Sequence, residues 1–343
     1  MRGETFIFDN VVHMYDNRPS NTVGQEGRDV AAGVGAIAEK FSGPGFPWRT
    51  DFATMHIDCD EAYRLMFEES ETDMVMAQSI PVFGWFREGF SPVAANYEFA
   101  RRYPERVLFC GAVDPVWQGV GGAVEEMERQ IVELGAKSFK FYQAQRGTLH
   151  WRADDRKVAY PMYETCLTHG VKNVRFHKGF PLGPQPLDPF RCDDLEQAAL
   201  DFPEMRFVIH HLGAPYMDQA VNIAACHQNI WMALSAWINM HPIWPRESLH
   251  QLGKLLFWVG PDRLMYGSEA FVWPKVQAYI ELLDGLEMPE ELQEQYGYPP
   301  LTLETKKKIF GENFANLLGL DIEAKKHALG LVGTEGARSH VSV

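Results

Sequence analysis

Four histidines and one glutamate stand where chemistry would need them. His13 closes the apolar run TFIFDNVVH (5–13), and His177 closes VKNVRFH (171–177). His210 and His211 close MRFVIHH (205–211), and Glu269 follows RLMYGS (263–268). Two imidazoles and a carboxylate form a common ligand set for a first-row metal and leave positions open for water and substrate. Singly, a histidine at a strand end reads as a capping or hydrogen-bonding group. The chain has only 12 histidines, so polar groups closing four separate runs are a pattern rather than scatter.

The elements that must position them alternate. Strand-like runs fall at 5–13, 72–79, 107–115, 137–142, 171–177, 205–211, 229–235 and 263–268. Helix-like runs fall at 57–70, with an Asp N-cap, then at 92–104, 123–136, 160–170, 193–203, 215–227 and 247–260. Further helical stretches read at 274–286, 289–295 and 303–319. Alternation of this kind predicts a parallel sheet with helices outside, and eight repeats favour closure into a (β/α)₈ TIM barrel. Active sites of such barrels lie at the C-terminal ends of the strands, where the five residues fall. No Gly-x-Gly-x-x-Gly follows the first strand, which counts against a dinucleotide fold. Residues 17–56, rich in Gly, Pro and Asn, are too long for an ordinary connection and read as a functional lid or a disordered segment. The expected organisation is one domain over 1–320, with 17–56 as an inserted active-site loop, and a polar, frayed tail over 321–343.

Bulk properties narrow the class. The chain has 343 residues, 46% hydrophobic and 23% charged, enough for one large core. A net charge of −14 argues against nucleic acid or an anionic membrane as partner. Five scattered cysteines with no CxxC give neither a disulfide framework nor a zinc finger and suit a reducing cytoplasm. The N-terminal stretch lacks the apolar core of a signal peptide, and no apolar run is long enough to span a membrane. The expected setting is the cytoplasm and the expected partner a small molecule. The aromatic-rich loops and the helices after the eighth strand suggest a homodimer.

Five motifs carry a resemblance. FDNVVHMYD (8–16), NVRFHKG (173–179), MRFVIHHLGAP (205–215), RLMYGSEAFVWP (263–274) and FGENFANLLGL (310–320) occur in this order. Together they resemble the amidohydrolase-related family (amidohydrolase 2) of metal-dependent hydrolases, which includes relatives of aminocarboxymuconate semialdehyde decarboxylase. The resemblance spans residues 5–320. It implies that His13 and His177 bind metal, that His211 is an acid–base residue, and that Glu269 is a metal ligand or general base. Two positions depart from the family pattern. Val11 stands where the first strand-one ligand would be, so the resemblance implies a mononuclear site. Glu269 replaces the usual Asp. Asp9 shares a face with Val11 and His13 but lies about 6–7 Å further from the strand end. That suits support of His13 from behind, with His210 in a similar role.

Other residues are weighed beside these. Arg175 and Lys178 are candidates for binding a substrate carboxylate, and Trp237 for a pocket wall; ion pairing and core packing are the bland alternatives. Lys140 reads as a catalytic or a structural cation. His56, Asp58 and Asp60 suit a substitute ligand less than they suit capping. Trp48, Phe83, Trp85, Phe86, Phe180, Trp244, Phe271 and Trp273 crowd the predicted loops at strand C-termini and suggest an aromatic-lined pocket, with His241 and Trp244 as pocket wall or dimer contact.

The leading expectation is a metal-dependent hydrolase or decarboxylase acting on a small aromatic or unsaturated acid or ester. It would hold one divalent ion, zinc ahead of Fe(II) or Mn. A non-haem Fe(II) oxygenase using the same two histidines and carboxylate is the second reading. A non-catalytic binding or accessory protein with a decayed site is the third.

Overall fold

Strands buried on both faces carry continuous apolar runs rather than alternating ones. FDNVV, MVMAQ and NVRFH are buried at every residue, the polar Asp9, Asn10, Gln78, Asn173, Arg175 and His177 included. In the computed structural model, which describes residues 5–331, eight such runs form one parallel sheet in chain order. They are β1 (Phe8–Val12), β2 (Met74–Gln78), β3 (Val107–Gly111), β4 (Ser138–Phe141), β5 (Asn173–His177), β6 (Arg206–His210), β7 (Ile230–Ala233) and β8 (Leu264–Met265). Helices fill the connections, so the fold is the (β/α)₈ TIM barrel.

Closure falls to β8 and β1, and β8 is only two residues long. The seam is made largely beyond it. Asn10 N–H donates to Tyr266 O at 3.1 Å, and His13 N–H to Ala270 O at 2.9 Å. A parallel bridge joins Val12 to Ala270. The FGENF stretch braces the seam from outside. A Cβ on Gly311 would stand 2.2 Å from Phe6 O, so only glycine admits this approach to the first strand. Asn313 Nδ2 donates to Leu264 O and Pro261 O at 2.8 and 2.7 Å.

Most predicted helices are present with shifted ends. Asp58 caps the Cys59–Tyr63 helix by accepting from Asp60 and Glu61 N–H. The helix predicted over 123–136 is preceded by a short helical turn from Pro115, broken from it at Gly119 (φ 69°), and buried Asp114 caps that turn by accepting from Val116 N–H at 3.0 Å. The expected frayed tail contains a helix, Ile322–Ala328, and Leu329 and Leu331 pack on a small cluster around Phe8 and Phe314. The remainder of the tail lies outside the described residues.

The long first connection is not structureless. It holds a 17-residue helix, Gly24–Lys40, whose buried face is made of Gly27, Val30, Ala31, Gly35 and Ala38. Small residues allow close approach rather than giving strong apolar periodicity, so the pattern hid the helix. Val23 N–H donates to Trp85 O at 2.7 Å. A Cβ on Gly27 would meet that same oxygen at 2.3 Å. The segment therefore sits directly on the loop after β2. No helix among the described residues is long and apolar enough to cross a membrane.

Candidate active site

β1 and β5 deliver His13 and His177 at their C-terminal ends, β6 delivers His210 and His211, and the turn after β8 delivers Glu269. Backbone strain gathers at this rim. His211, Leu212, Ala236 and Glu269 all have left-handed φ, between 53° and 61°. Non-glycine residues hold such angles only where their surroundings fix them, and they concentrate at functional sites.

His13 is fixed by its backbone and by its ring. Its Nδ1 lies 2.8 Å from Gln78 O. A carbonyl can only accept, so Nδ1 carries the hydrogen and Nε2 presents a lone pair. That lone pair faces Glu269 Oε1 at 3.5 Å. His13 Nε2 and Glu269 Oε2 are both buried without a hydrogen-bond partner. Burial alone would push the Glu269 carboxyl up. The pull of His211, His13 and Lys140 outweighs it and holds the group well below the ordinary carboxylate range. A lone pair therefore confronts a carboxylate anion, an arrangement satisfied by a cation or a proton between them.

His177 and His211 form a second pair. His177 Nε2 lies 3.0 Å from Phe180 O and so carries hydrogen, leaving Nδ1 as acceptor. His211 Nε2 lies 3.1 Å from that Nδ1. His211 Nδ1 lies 3.3 Å from Ser235 O and 3.2 Å from Ser235 Oγ, with Glu269 Oε2 3.9 Å away; beside a carbonyl it carries hydrogen, so Nε2 turns a lone pair toward His177 Nδ1. Burial depresses both rings: His177 falls well below the usual imidazole value and His211 to about 4. The His177 ring stacks on Tyr142, with centroids 4.4 Å apart.

These donors fit a cation on one side of the site. His13 Nε2 and Glu269 converge with free acceptor atoms, whereas His177 Nε2 is committed to Phe180 O and its Nδ1 faces His211 Nε2. Among the described residues no three His, Cys, Asp or Glu side chains converge as a metal site. Val11, at the vacant ligand position, is packed on the chain after β8, where a Cβ on Gly267 would meet its Cγ2 at 2.7 Å.

The supporting residues divide. Asp9 accepts from Val11 N–H at 3.0 Å and from Ser268 N–H at 3.1 Å. It therefore braces the turn that carries Glu269 rather than the His13 ring. Burial raises its carboxyl to about 7, against those hydrogen bonds. His210 is wholly buried and neither ring nitrogen has a partner. Lys140 lies below the site, its ammonium buried, unpartnered and 5.5 Å from the Tyr142 ring centre. Burial lowers it to about 7, opposed by attraction to Glu269.

The residues expected to bind substrate are not brought to the cavity. Arg175 shares His177's face but sits one layer deeper, donating to Ser138 Oγ and Asn10 Oδ1 at 3.0 Å each. Lys178 points the opposite way, into a buried ion pair with Asp194 at 2.8 Å. Trp237 is core. A cleft opens instead over His177, His211 and Glu269. Its walls include Phe180 and Trp273, as the aromatic loops suggested. They also include Tyr15, Tyr142 and Phe41, which a search for metal donors passed over. Tyr142 closes the fourth strand-like run, so the strand-end rule already pointed to it. His56 pairs in a bridge with Asp16, away from these walls.

Comparison with known proteins agrees with this architecture. A TIM-barrel protein of Bordetella bronchiseptica superposes with a TM-score of 0.66 at 16% identity, over 91% of this chain and 98% of its own. The 2,6-dihydroxybenzoate decarboxylase from Rhizobium gives 0.60 at 15% identity, over 92% and 99%. A Polaromonas dihydroxybenzoic acid decarboxylase, solved with manganese and 2-nitroresorcinol, gives 0.58 at 15%, over 92% and 97%. These likenesses concern the fold. No curated protein matches the sequence. The family model for amidohydrolases does match, over residues 84–320, well over half the chain. The chain thus belongs to the amidohydrolase family, a family of metal-dependent hydrolases and carboxy-lyases.

Proposed function

We propose that this enzyme is a mononuclear metal-dependent hydrolase of small aromatic or unsaturated esters, with His13 and Glu269 as the core of the metal site and His177 as third donor. The observation that carries the reading is the lone pair of His13 Nε2 aimed at the Glu269 carboxylate at 3.5 Å, with no proton donor between them. A divalent ion bound there would polarise a carbonyl and acidify water. Family membership and the manganese in the Polaromonas relative support such an ion. His177 would join it through Nδ1, the nitrogen that faces His211 Nε2.

The protein's own residues have separable tasks. Asp9 holds the Glu269 turn through Ser268 N–H, and Gln78 O fixes the His13 ring. His211, uncharged at neutral pH, is suited to take a proton from the attacking water at a ring nitrogen and return it to the leaving group. The apolar walls keep bulk water from the reacting carbonyl. His211 starts uncharged and so is free to accept a proton from water, which suits hydrolysis; decarboxylation needs a proton delivered to carbon. The decarboxylases among the structural neighbours keep carboxy-lyase chemistry as the second reading.

Elemental mass spectrometry of untagged wild type, His13→Ala, His177→Ala and Glu269→Gln tests the proposal. Near-stoichiometric zinc or manganese, lost in all three variants, supports it. Stoichiometric iron would move an oxygenase to first place. No metal in any of them after reconstitution would sink the reading and leave a binding protein.

A further inference from the structure

The groups around the proposed metal position accept hydrogen bonds and do not donate them. His13 Nε2, His177 Nδ1 and His211 Nε2 all present lone pairs, because the ring hydrogens lie toward Gln78 O, Phe180 O and Ser235 O. Glu269 adds a carboxylate. Val34, Ile37, Phe41 and Leu182 make much of the cleft wall hydrocarbon. Trp273 carries a donor, but its indole N–H is buried. The donors that remain in the wall are the phenol hydroxyls of Tyr15 and Tyr142. Among the described residues neither hydroxyl has a hydrogen-bond partner.

Both rings are held by packing rather than by their hydroxyls. Tyr15 stands beside His13, ring centres 5.4 Å apart, and Phe52 and Phe90 grip it edge-on at 5.0 and 4.9 Å. Its N–H donates to His13 O at 3.0 Å, and its carbonyl accepts from Ile57 N–H at 3.0 Å. Tyr142 lies face to face with His177, with 16° between the planes. One tyrosine thus flanks each of the two histidines of the proposed metal site. The Glu269 carboxylate acts on both phenols, and Tyr142 acts on Tyr15, so the two border one region.

Ester hydrolysis needs donors at one moment. As the water oxygen bonds to the carbonyl carbon, His211 takes a proton and the carbonyl π pair moves onto its oxygen. That pair returns as the bond to the leaving oxygen breaks, and the proton on His211 passes to the leaving oxygen. The transient charge cannot be stabilised by histidine lone pairs or by Glu269. Fixed donors aimed at such an oxygen need no reorganisation, which is the source of their effect.

We propose that the Tyr15 and Tyr142 hydroxyls are a donor pair for this oxygen, and so catalytic residues. The proposal rests on the hydrolase reading and adds to it the side chains that stabilise the charge formed in the reaction.

Isothermal titration calorimetry on the full chain, as purified with its metal, tests the pair. The probes are phenylphosphonate, a tetrahedral oxyanion shaped like the attacked ester, and acetophenone, a planar neutral carbonyl. Neither can be hydrolysed. Tyr15→Phe and Tyr142→Phe each remove a hydroxyl and keep the ring in its packing. Each should weaken phenylphosphonate about ten- to a hundredfold, as for a hydrogen bond to a charged group, and acetophenone by about threefold at most. Elemental analysis should find the wild-type metal content in both variants, which separates loss of a donor from loss of an ion. Unchanged phosphonate affinity in either variant, equal losses for the two probes, metal lost from the variants, or no phosphonate binding by wild type would each overturn the pair. The two ideas fail separately. Metal in wild type without these effects keeps the hydrolase site and removes the pair. Hydroxyl-dependent phosphonate binding by a protein that holds no metal keeps the oxyanion cradle and removes the metal site.

Discussion

His211 is the side chain at which metal binding and turnover should part company. It touches His177 and Ser235 and approaches Glu269 only to 3.9 Å, so its removal leaves His13 and Glu269 in place. His211→Asn should retain the wild-type metal content yet lose about 10²–10⁴ in kcat, as expected for a missing proton carrier. Parallel metal analysis and steady-state kinetics check this; metal lost together with activity would make His211 a ligand instead. The residues at the rim were legible because a barrel turns a one-dimensional feature, the last residue of a strand, into a shared location. Arg175 and Lys178 show where that rule stops. Alternation sends Lys178 to the opposite side from His177, where Asp194 awaits it. It sends Arg175 to the same side but two residues lower, beneath the reacting groups. Depth along a strand decides function as much as facing does, and charge alone does not report it.

At the scale of elements, sequence periodicity found the outer helices and missed the one that roofs the site. The Gly24–Lys40 helix buries glycine and alanine, which a search for large apolar side chains discounts. Gly27→Ala tests its docking, since the new methyl group would meet Trp85 O at 2.3 Å. The variant should raise KM several-fold and leave metal content unchanged, as read by kinetics and elemental analysis. A second element carries a pH signature. Asp114 caps the helical turn that begins at Pro115, and burial raises its carboxyl to about 7 from 3.8. The folded state therefore binds this proton more tightly than the unfolded chain does. Its contribution to stability is full below about pH 4, falls as pH rises toward 7, and is flat above. The loss is at most about 4 kcal/mol by linkage. Asp114→Asn keeps a capping oxygen and cannot ionise. The difference in unfolding free energy between variant and wild type, measured in urea from pH 4 to 8, should grow in the variant's favour up to about pH 7. A difference independent of pH would refute the assignment.

At the scale of the whole molecule, eight strand–helix alternations announced the barrel, but the manner of closure was hidden. The run read at 263–268 pairs over only two residues, and the seam depends on Gly311 and Asn313, far along the chain from β1. Gly311→Ala forces a methyl group against Phe6 O and should cost about 1–3 kcal/mol, with a matching fall in Tm. An unchanged Tm would mean that the brace yields freely.

The seam also has a consequence in time. His13 and Glu269, the two groups that face each other across the proposed metal position, flank the join between the first strand and the last. A chain emerging from the ribosome carries His13 early and cannot pair it until nearly the whole sequence has been made. No shorter intermediate holds both halves of the site. Metal capture is thus expected as a late, single event in refolding, coincident with ring closure, and uptake of a fluorescent-reporter metal after dilution from denaturant would mark the moment at which the barrel becomes a barrel.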